Sequence, residues 1–288
     1  MRNPLCNEQY VKSLCRRFGF NFSKSLGQNF LIDENVPADI AESCGADNSV
    51  GVIEVGPGMG TLTWELCQRA AHVVAVEVDK TLLPVLDFTL AGFDNVTVIN
   101  ADILKTDINA LIEREFYSRG IKRVAVCANL PYYITTPIIM GLLEGKYPIE
   151  RITVMIQKEV ADRLCAKKPG GDSGAVTLAV QYAADTEQHF LVPPTSFIPA
   201  PKVTSSVMSL IPLEKPPVEV KNVKYMFHLI REAFALRRKT LANALSMRAG
   251  ISRDRVTAAL EKLSLPADIR GEKLTLEEFA RLSDELWS

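Results

Sequence analysis

The sequence predicts an α/β protein: a doubly wound, mostly parallel sheet followed by a small helical region. Three observations lead there. Short β-branched runs alternate with segments of helical character between Val50 and Gln157. Those runs are almost continuously apolar, as in strands covered on both faces, rather than alternating apolar and polar. Beyond Lys215-Pro216-Pro217 the strand signals stop and helical ones take over.

The elements follow in order. Val50–Val55 reads as the first strand, and a glycine turn leads from it into a helix over Thr61–Ala70. Val73–Val78 and Val96–Asn100 are the next strands, with helices over Lys80–Leu90 and Asn109–Tyr117 between and after them. Val124–Ala128 and Ile152–Gln157 complete the parallel set. Two further strands, near His189–Val192 and Val203–Leu210, are separated only by the loop Pro193–Lys202, which predicts an antiparallel pair at one end of the sheet. Helices are expected over Val223–Leu236, Thr240–Ala249, Ser252–Leu263 and Thr275–Trp287, with Gly250, Pro266 and Gly271 as breakers. The expected division is a first domain over residues 1–214 and a helical one over 215–288.

Composition narrows the class. At 47 % apolar and 23 % charged residues the chain reads as an ordinary globular protein. Net charge is −1, but it is unevenly spread: Lys221 to Arg255 holds nine basic and two acidic residues. A basic region on an acidic body suits a polyanion partner, or is simply a solvated helical surface. None of the six cysteines forms a Cys-x-x-Cys pair and the three histidines are scattered, so neither a metal site nor a disulfide framework is expected. No signal peptide is apparent. Val124–Leu143 has no charged residue, but Asn129, Pro131 and Pro137 make it a strand, loop and helix rather than a membrane span. A monomeric, cytoplasmic protein that binds no metal and no membrane is expected.

Gly56-Pro57-Gly58-Met59-Gly60 follows a strand and precedes a helix. Glycine there permits a sharp turn and close approach of a ligand to backbone. Dinucleotides prefer the spacing G-x-G-x-x-G; here it is G-x-G-x-G, which favours a cofactor lacking pyrophosphate, such as S-adenosylmethionine. Glu77 ends the second strand, 21 residues beyond Gly56, where a carboxylate can accept both ribose hydroxyls. Asp102, after the third strand, can reach an adenine amino group.

Asn129-Leu130-Pro131-Tyr132 follows the fourth strand. The Asn129 side-chain oxygen and the Leu130 carbonyl can accept the two N–H bonds of an exocyclic base amine. Pro131 fixes the turn and brings no competing N–H. Tyr132 offers an aromatic face for stacking. Phe197, at the head of a proline-spaced loop, either covers the other face of that base or buries itself against the sheet end. Arg237-Arg238-Lys239 suits phosphates, or is a plain surface cluster.

Taken together, these residues resemble the small-subunit (16S) rRNA adenine N6,N6-dimethyltransferases of the KsgA/RsmA type. Lys24-Ser25-Leu26-Gly27-Gln28-Asn29-Phe30-Leu31 resembles that family's N-terminal cofactor segment. Glu54 through Gly60, Glu77-Val78-Asp79, Ala101-Asp102 and Asn129 through Tyr132 follow in order, then Phe197-x-Pro199-x-Pro201-x-Val203-x-Ser205 and Leu274 through Phe279. The resemblance implies a class I, Rossmann-like methyltransferase with a seven-stranded sheet and a helical C-terminal domain that binds rRNA. It implies dimethylation of two adjacent adenines in the 3′-terminal hairpin of small-subunit rRNA, late in subunit assembly. By position, Gln28, Asn29, Leu31, Gly56, Gly58, Glu77, Asp102 and Asn129 would hold S-adenosylmethionine. Asn129, Leu130, Pro131, Tyr132 and Phe197 would hold the base. Gly171-Asp172-Ser173-Gly174 departs from the family pattern, which often has an aromatic before the glycine. The alternatives are a large-subunit rRNA methyltransferase of the macrolide-resistance type, a non-catalytic RNA-binding assembly or transcription factor on the same scaffold, and a small-molecule methyltransferase.

Overall fold

The computed structural model describes residues 2–20, 22, 27–171 and 173–287. The Lys24–Leu26 part of the N-terminal motif, and Asp172, lie outside the described residues. The chain divides into two units, the first made of residues up to Ala161 with Thr186–Pro212, the second of Asp162–Asp185 with Leu213 onward.

The strands are β1 (Phe30–Leu31), β2 (Val50–Val55), β3 (His72–Glu77), β4 (Val96–Asn100), β5 (Arg123–Asn129), β6 (Arg151–Gln157), β7 (Ala184–Val192), β8 (Phe197–Ile198) and β9 (Ser205–Pro212). Seven of them form one sheet in the order β4-β3-β2-β5-β6-β9-β7. Its β2, β3, β4, β5 and β6 are parallel. Every residue of β2 and β3 is buried, while β4 is only partly so. That is the burial expected of central and edge strands, and it explains the unbroken apolar runs. β9 runs antiparallel to β6 and sits between β6 and β7.

The first unit carries α1 (Glu8–Phe18), α2 (Val36–Ser43), α3 (Thr61–Cys67), α4 (Leu83–Thr89), α5 (Ile108–Glu115) and α6 (Thr135–Glu144), and α7 (Lys158–Leu164) bridges the change of unit along the chain. The helix predicted over Lys80–Leu90 is split: Asp79 caps a single 3-10 turn, and α4 starts beyond it with Pro84 in its first turn. Gly51 in β2 has a packing reason. A Cβ there would lie 2.3 Å from the ring of Phe116, which is wholly buried. Gly51→Ala is therefore expected to destabilise the first unit by about 1–3 kcal/mol through overpacking. A denaturant titration reads this, and an unchanged midpoint would mean that the Phe116 ring can step aside.

β2 and β5 are neighbours, yet β2 continues to β3 on one side while β5 leads to β6 on the other. Strand order reverses there, and the carboxyl ends on either side of the reversal frame a crevice where open α/β sheets bind ligands. The two-residue ribbon of β1 with β8, pairing Leu31 with Phe197 and Phe30 with Ile198, brings two distant segments together.

The second unit holds α8 (Ala175–Ala183), α9 (Val223–Ala235), α10 (Leu241–Ala249), α11 (Arg253–Lys262) and α12 (Leu276–Leu286). Thr240, Ser252 and Thr275, read as first helical residues, are N-caps whose hydroxyls accept a backbone N–H. Thr275 and Glu278 form a reciprocal capping box. The expected boundary at 214/215 needs correcting, because residues 162–185 go with the helices. Leu178 of α8 packs into the core formed by Leu229, Ile230, Leu245, Leu260 and Phe279. Thr177 Oγ1 donates to the Arg163 carbonyl at 2.8 Å, and the Leu213 N–H donates to the Ala183 carbonyl at 2.9 Å. Among the described residues no helix is long and apolar enough to cross a membrane.

Candidate active site

A cavity of about 310 Å³ opens where β2 ends, and its wall takes in every residue singled out above for a cofactor or a base. Gln28, Asn29, Leu31, Gly56, Gly58, Glu77, Asp102, Asn129, Leu130, Pro131, Tyr132 and Phe197 all line it. Such a volume is at the small end of ligand pockets.

The glycine turn forms one wall. Gly56, Gly58 and Gly60 have φ of 70°, 62° and 91°, a left-handed conformation that other residues rarely adopt. At Gly58 a Cβ would also come within 2.8 Å of the Phe30 ring. The turn is held from β3: Glu77 Oε2 accepts the Gly58 N–H at 3.2 Å, and its Oε1 accepts the Asp79 N–H at 2.8 Å. Burial raises the Glu77 carboxyl above its ordinary value, and these two N–H groups pull it part of the way back. Asp79 Oδ2 accepts Gln28 Nε2 at 2.8 Å, which ties the N-terminal segment to the end of β3. Asp102 caps its own turn, with Oδ1 accepting the Leu104 N–H at 3.0 Å and Oδ2 3.4 Å from Lys105 Nζ.

Opposite stands the β5 loop. Asn129 Nδ2 donates to the Asn29 carbonyl at 3.3 Å, which makes Oδ1 the acceptor end of that amide. The Leu130 N–H is spent on the Met155 carbonyl at 3.1 Å. Among the described residues no donor reaches Asn129 Oδ1 or the Leu130 carbonyl. The Pro131 carbonyl accepts from the Ile134 N–H at 3.1 Å and from Thr135 Oγ1 at 3.2 Å, starting α6. Tyr132 is held by its hydroxyl, 2.8 Å from Ser205 Oγ. Phe197 lines the cavity and is at the same time a core residue, packed among residues that include Leu31, Val192 and Val207. The ring is thus buried at the sheet end and still forms part of the cavity lining.

Arg237-Arg238-Lys239 lies in the second unit, in the turn after α9. Arg237 serves structure there: Nη2 donates to the Gly171 carbonyl at 2.7 Å and pairs with Glu272 at 3.1 Å. Its Nε and Nη2 are committed within the unit, while its side chain stays part-exposed. Arg238 and Lys239 are exposed.

Glu54 was not given a role from sequence. It is almost wholly buried in β2, lines the cavity, and its Oε2 has no hydrogen-bonding partner among the described residues. Thr63 lies close enough to ease the carboxyl, yet its hydroxyl too lacks a well-aligned partner. Burial first, and the Glu77 charge after it, push the Glu54 carboxyl up to about 8. The signal was available: a lone acid inside Val52-Ile53-Glu54-Val55. Tyr133, next to the tetrapeptide and without a role from sequence, is exposed and lines the cavity.

Comparison with known proteins agrees with this geometry. The family model for ribosomal RNA adenine dimethylase matches residues 19–287. Ribosomal RNA small subunit methyltransferase A of Lachnoclostridium phytofermentans is 51 % identical over 271 residues, covering 93 % of this chain and 92 % of the relative. Among solved structures, the 23S rRNA methyltransferase ErmE aligns with a TM-score of 0.68 at 28 % identity, over 89 % of this chain and 99 % of its own. A dimethyladenosine transferase from Plasmodium falciparum aligns with a TM-score of 0.70 at 23 % identity, over 88 % of this chain and 95 % of its own, and so shares the fold. The fold is thus that of the class I, Rossmann-like methyltransferases with added C-terminal helices. With the matched region running over nearly the whole chain and the motif residues gathered around one cavity, the protein belongs to the ribosomal RNA adenine dimethylase family.

Proposed function

We propose that the protein dimethylates N6 of two adjacent adenines in the 3′-terminal hairpin of small-subunit rRNA, with S-adenosylmethionine as methyl donor. The observation that carries this reading is the pair of acceptors, Asn129 Oδ1 and the Leu130 carbonyl, left without described donors at the cavity wall. An exocyclic amine brings two N–H groups, and an acceptor left unpaired costs about 1–3 kcal/mol.

The residues fit the donor. Glu77 keeps lone pairs for two ribose hydroxyls after accepting its backbone N–H groups. Asp102 lines the cavity and would meet the adenine amino group, with Ile103 and Leu82 among the apolar lining. The buried Glu54, whose Oε2 has no described partner, would be drawn toward its ionised form by a ligand that carries positive charge. Gly56 has open space where a Cβ would stand, so a ligand can lie against its backbone. Gln28, Asn29 and Leu31 would close the near side, and Gly58 the turn. When bound, S-adenosylmethionine supplies an electrophilic methyl group.

The chain's own residues do the rest. Asn129 and Leu130 draw both amine hydrogens toward themselves, which turns the nitrogen lone pair out of conjugation with the ring. Pro131 holds that turn without a competing donor. Tyr132, steadied by Ser205, stacks on one face of the extruded adenine, and Phe197 covers the other. Stacking of this kind contributes about 1–3 kcal/mol per base. Among the described residues no histidine lines the cavity, and none is required. The attacking nitrogen becomes positive and its N–H acidic, so at each transfer one proton can leave to water. Positioning carries most of the rate.

The 51 % identity to a protein named for the small subunit, against 28 % to one named for 23S rRNA, supports the small-subunit substrate. Methyl transfer from labelled S-adenosylmethionine to unmodified small and large subunits in parallel tests it. Dimethyladenine in small-subunit rRNA only is expected. Label in large-subunit rRNA would replace this reading with the resistance-type activity. Label in neither, despite donor binding, would point to another acceptor or to a non-catalytic RNA-binding role.

A further inference from the structure

The second unit carries a charged cluster with an unusual internal geometry. Lys224, His228 and Arg231 lie at helical spacing along α9, and Arg248 stands near the end of α10. Glu232 joins two of them. Its Oε1 accepts Arg231 Nε at 3.1 Å and its Oε2 accepts Arg248 Nε at 2.9 Å. Arg231 Nη2 donates to His228 Nδ1 at 3.0 Å, so that ring nitrogen is an acceptor. Glu232 is only 6 % exposed, whereas the Arg231 and Arg248 side chains are 70 % and 51 % exposed. Hydrogen bonds from Arg231 first, and from Arg248 after it, hold the Glu232 carboxyl below its ordinary value, so it stays ionised and keeps its grip.

The manner of that grip matters. A guanidinium paired for stability alone does best with a bidentate fork, which consumes two donors on one edge. Here each arginine is docked through Nε only, and apart from the His228 contact no described acceptor takes the Nη hydrogens. One carboxylate thus orients two guanidinium groups and leaves most of their donors, and a net positive charge, facing outward. The surrounding stretch from Lys221 to Arg255 carries nine basic residues against two acidic. Planar, pre-oriented donors of this kind match the paired oxygens of a phosphodiester.

We propose that Arg231 and Arg248, positioned by Glu232, form an anchor for the phosphate backbone of the substrate RNA, with Lys224 adding charge beside it. The proposal rests on the reading that the acceptor is RNA. Being a backbone contact, it contributes affinity and register and selects no sequence.

The test is the Arg231→Gln, Arg248→Gln double variant of the full chain. Binding is measured by fluorescence anisotropy on protein-free small-subunit rRNA and on intact unmodified small subunits, over a range of salt, with thermal melting alongside. The expected result is affinity about tenfold or more weaker for both, a slope of log K against log salt lower by about 2, and unchanged S-adenosylmethionine affinity. Should the double variant misfold with Glu232 left unpaired, the Arg231→Gln, Glu232→Gln, Arg248→Gln triple variant carries the same expectation for rRNA binding. Unchanged affinity and slope in a folded variant would overturn the anchor and leave an ion-pair network that only joins α9 to α10. Loss confined to intact subunits would also overturn it, in favour of a ribosomal protein contact. These readouts do not depend on methyl transfer: a wild type that binds rRNA through this anchor but methylates nothing would refute the proposed activity and keep the anchor.

Discussion

Asn129→Ala is expected to lower kcat for methyl transfer on the order of 10²–10³-fold, as when one preorganised hydrogen-bonding group is lost from an active site. Binding of rRNA should change little, because one loop side chain contributes little of a polyanion interface. The effect has two possible origins, and they separate. Asn129 offers Oδ1 to the cavity while its Nδ2 holds the Asn29 carbonyl at 3.3 Å. Asn129→Asp keeps the acceptor and loses the tether, since a carboxylate oxygen facing a carbonyl oxygen repels it. If accepting the adenine N–H is what matters, the aspartate variant retains more turnover than the alanine variant. If the tether to the N-terminal segment is what matters, both fall together, and donor affinity falls with them. Single-turnover rates on unmodified small subunits decide this, and near-normal turnover in the alanine variant would remove Asn129 from the mechanism.

The sequence made most of the site legible because each of its pieces has a local signature. Glycines between strand and helix, a carboxylate closing the next strand and an asparagine before a proline are written within a few neighbouring residues. The sheet then gathers them, since parallel strands end at one edge: β2 stops at Val55, β3 at Glu77 and β5 at Asn129. What the sequence hid depends on contacts between distant segments. Nothing local announces that Phe30–Leu31 will pair with Phe197–Ile198. That ribbon is why Phe197 both belongs to the core and faces the cavity. Nor does composition reveal that residues 162–185 fold with the C-terminal helices, a fact that hangs on where Leu178 is buried.

Charge was the least legible feature. Counting lysines and arginines located a basic region, but not which heads face solvent. Arg237, first of the conspicuous triplet, spends Nε and Nη2 on Glu272 and Gly171. Arg231 and Arg248, separate in sequence and unremarked there, are brought to one carboxylate by the packing of α9 against α10. Sign and density are properties of sequence; orientation belongs to the packing that fixes each side chain's partner.

Glu77→Ala is the second large effect expected, on the donor rather than on the base. Its carboxylate is the acceptor for the Gly58 and Asp79 N–H groups and, on the proposed reading, for two ribose hydroxyls. Truncation leaves those backbone donors unpaired in a buried place, at about 1–3 kcal/mol each. It also frees the turn that gives the cavity its wall, so S-adenosylmethionine affinity is expected to fall by about 10²-fold or more. Calorimetric titration measures the affinity and thermal melting the stability. Glu77→Gln separates the two contributions. Its amide oxygen can still accept one backbone N–H, so most of the stability should return. Its NH₂ end, however, meets a second N–H or a hydroxyl with a donor where an acceptor is required. Donor affinity in the glutamine variant should therefore stay well below wild type while melting recovers. Full recovery of both would mean that Glu77 shapes the glycine turn and never touches the ribose.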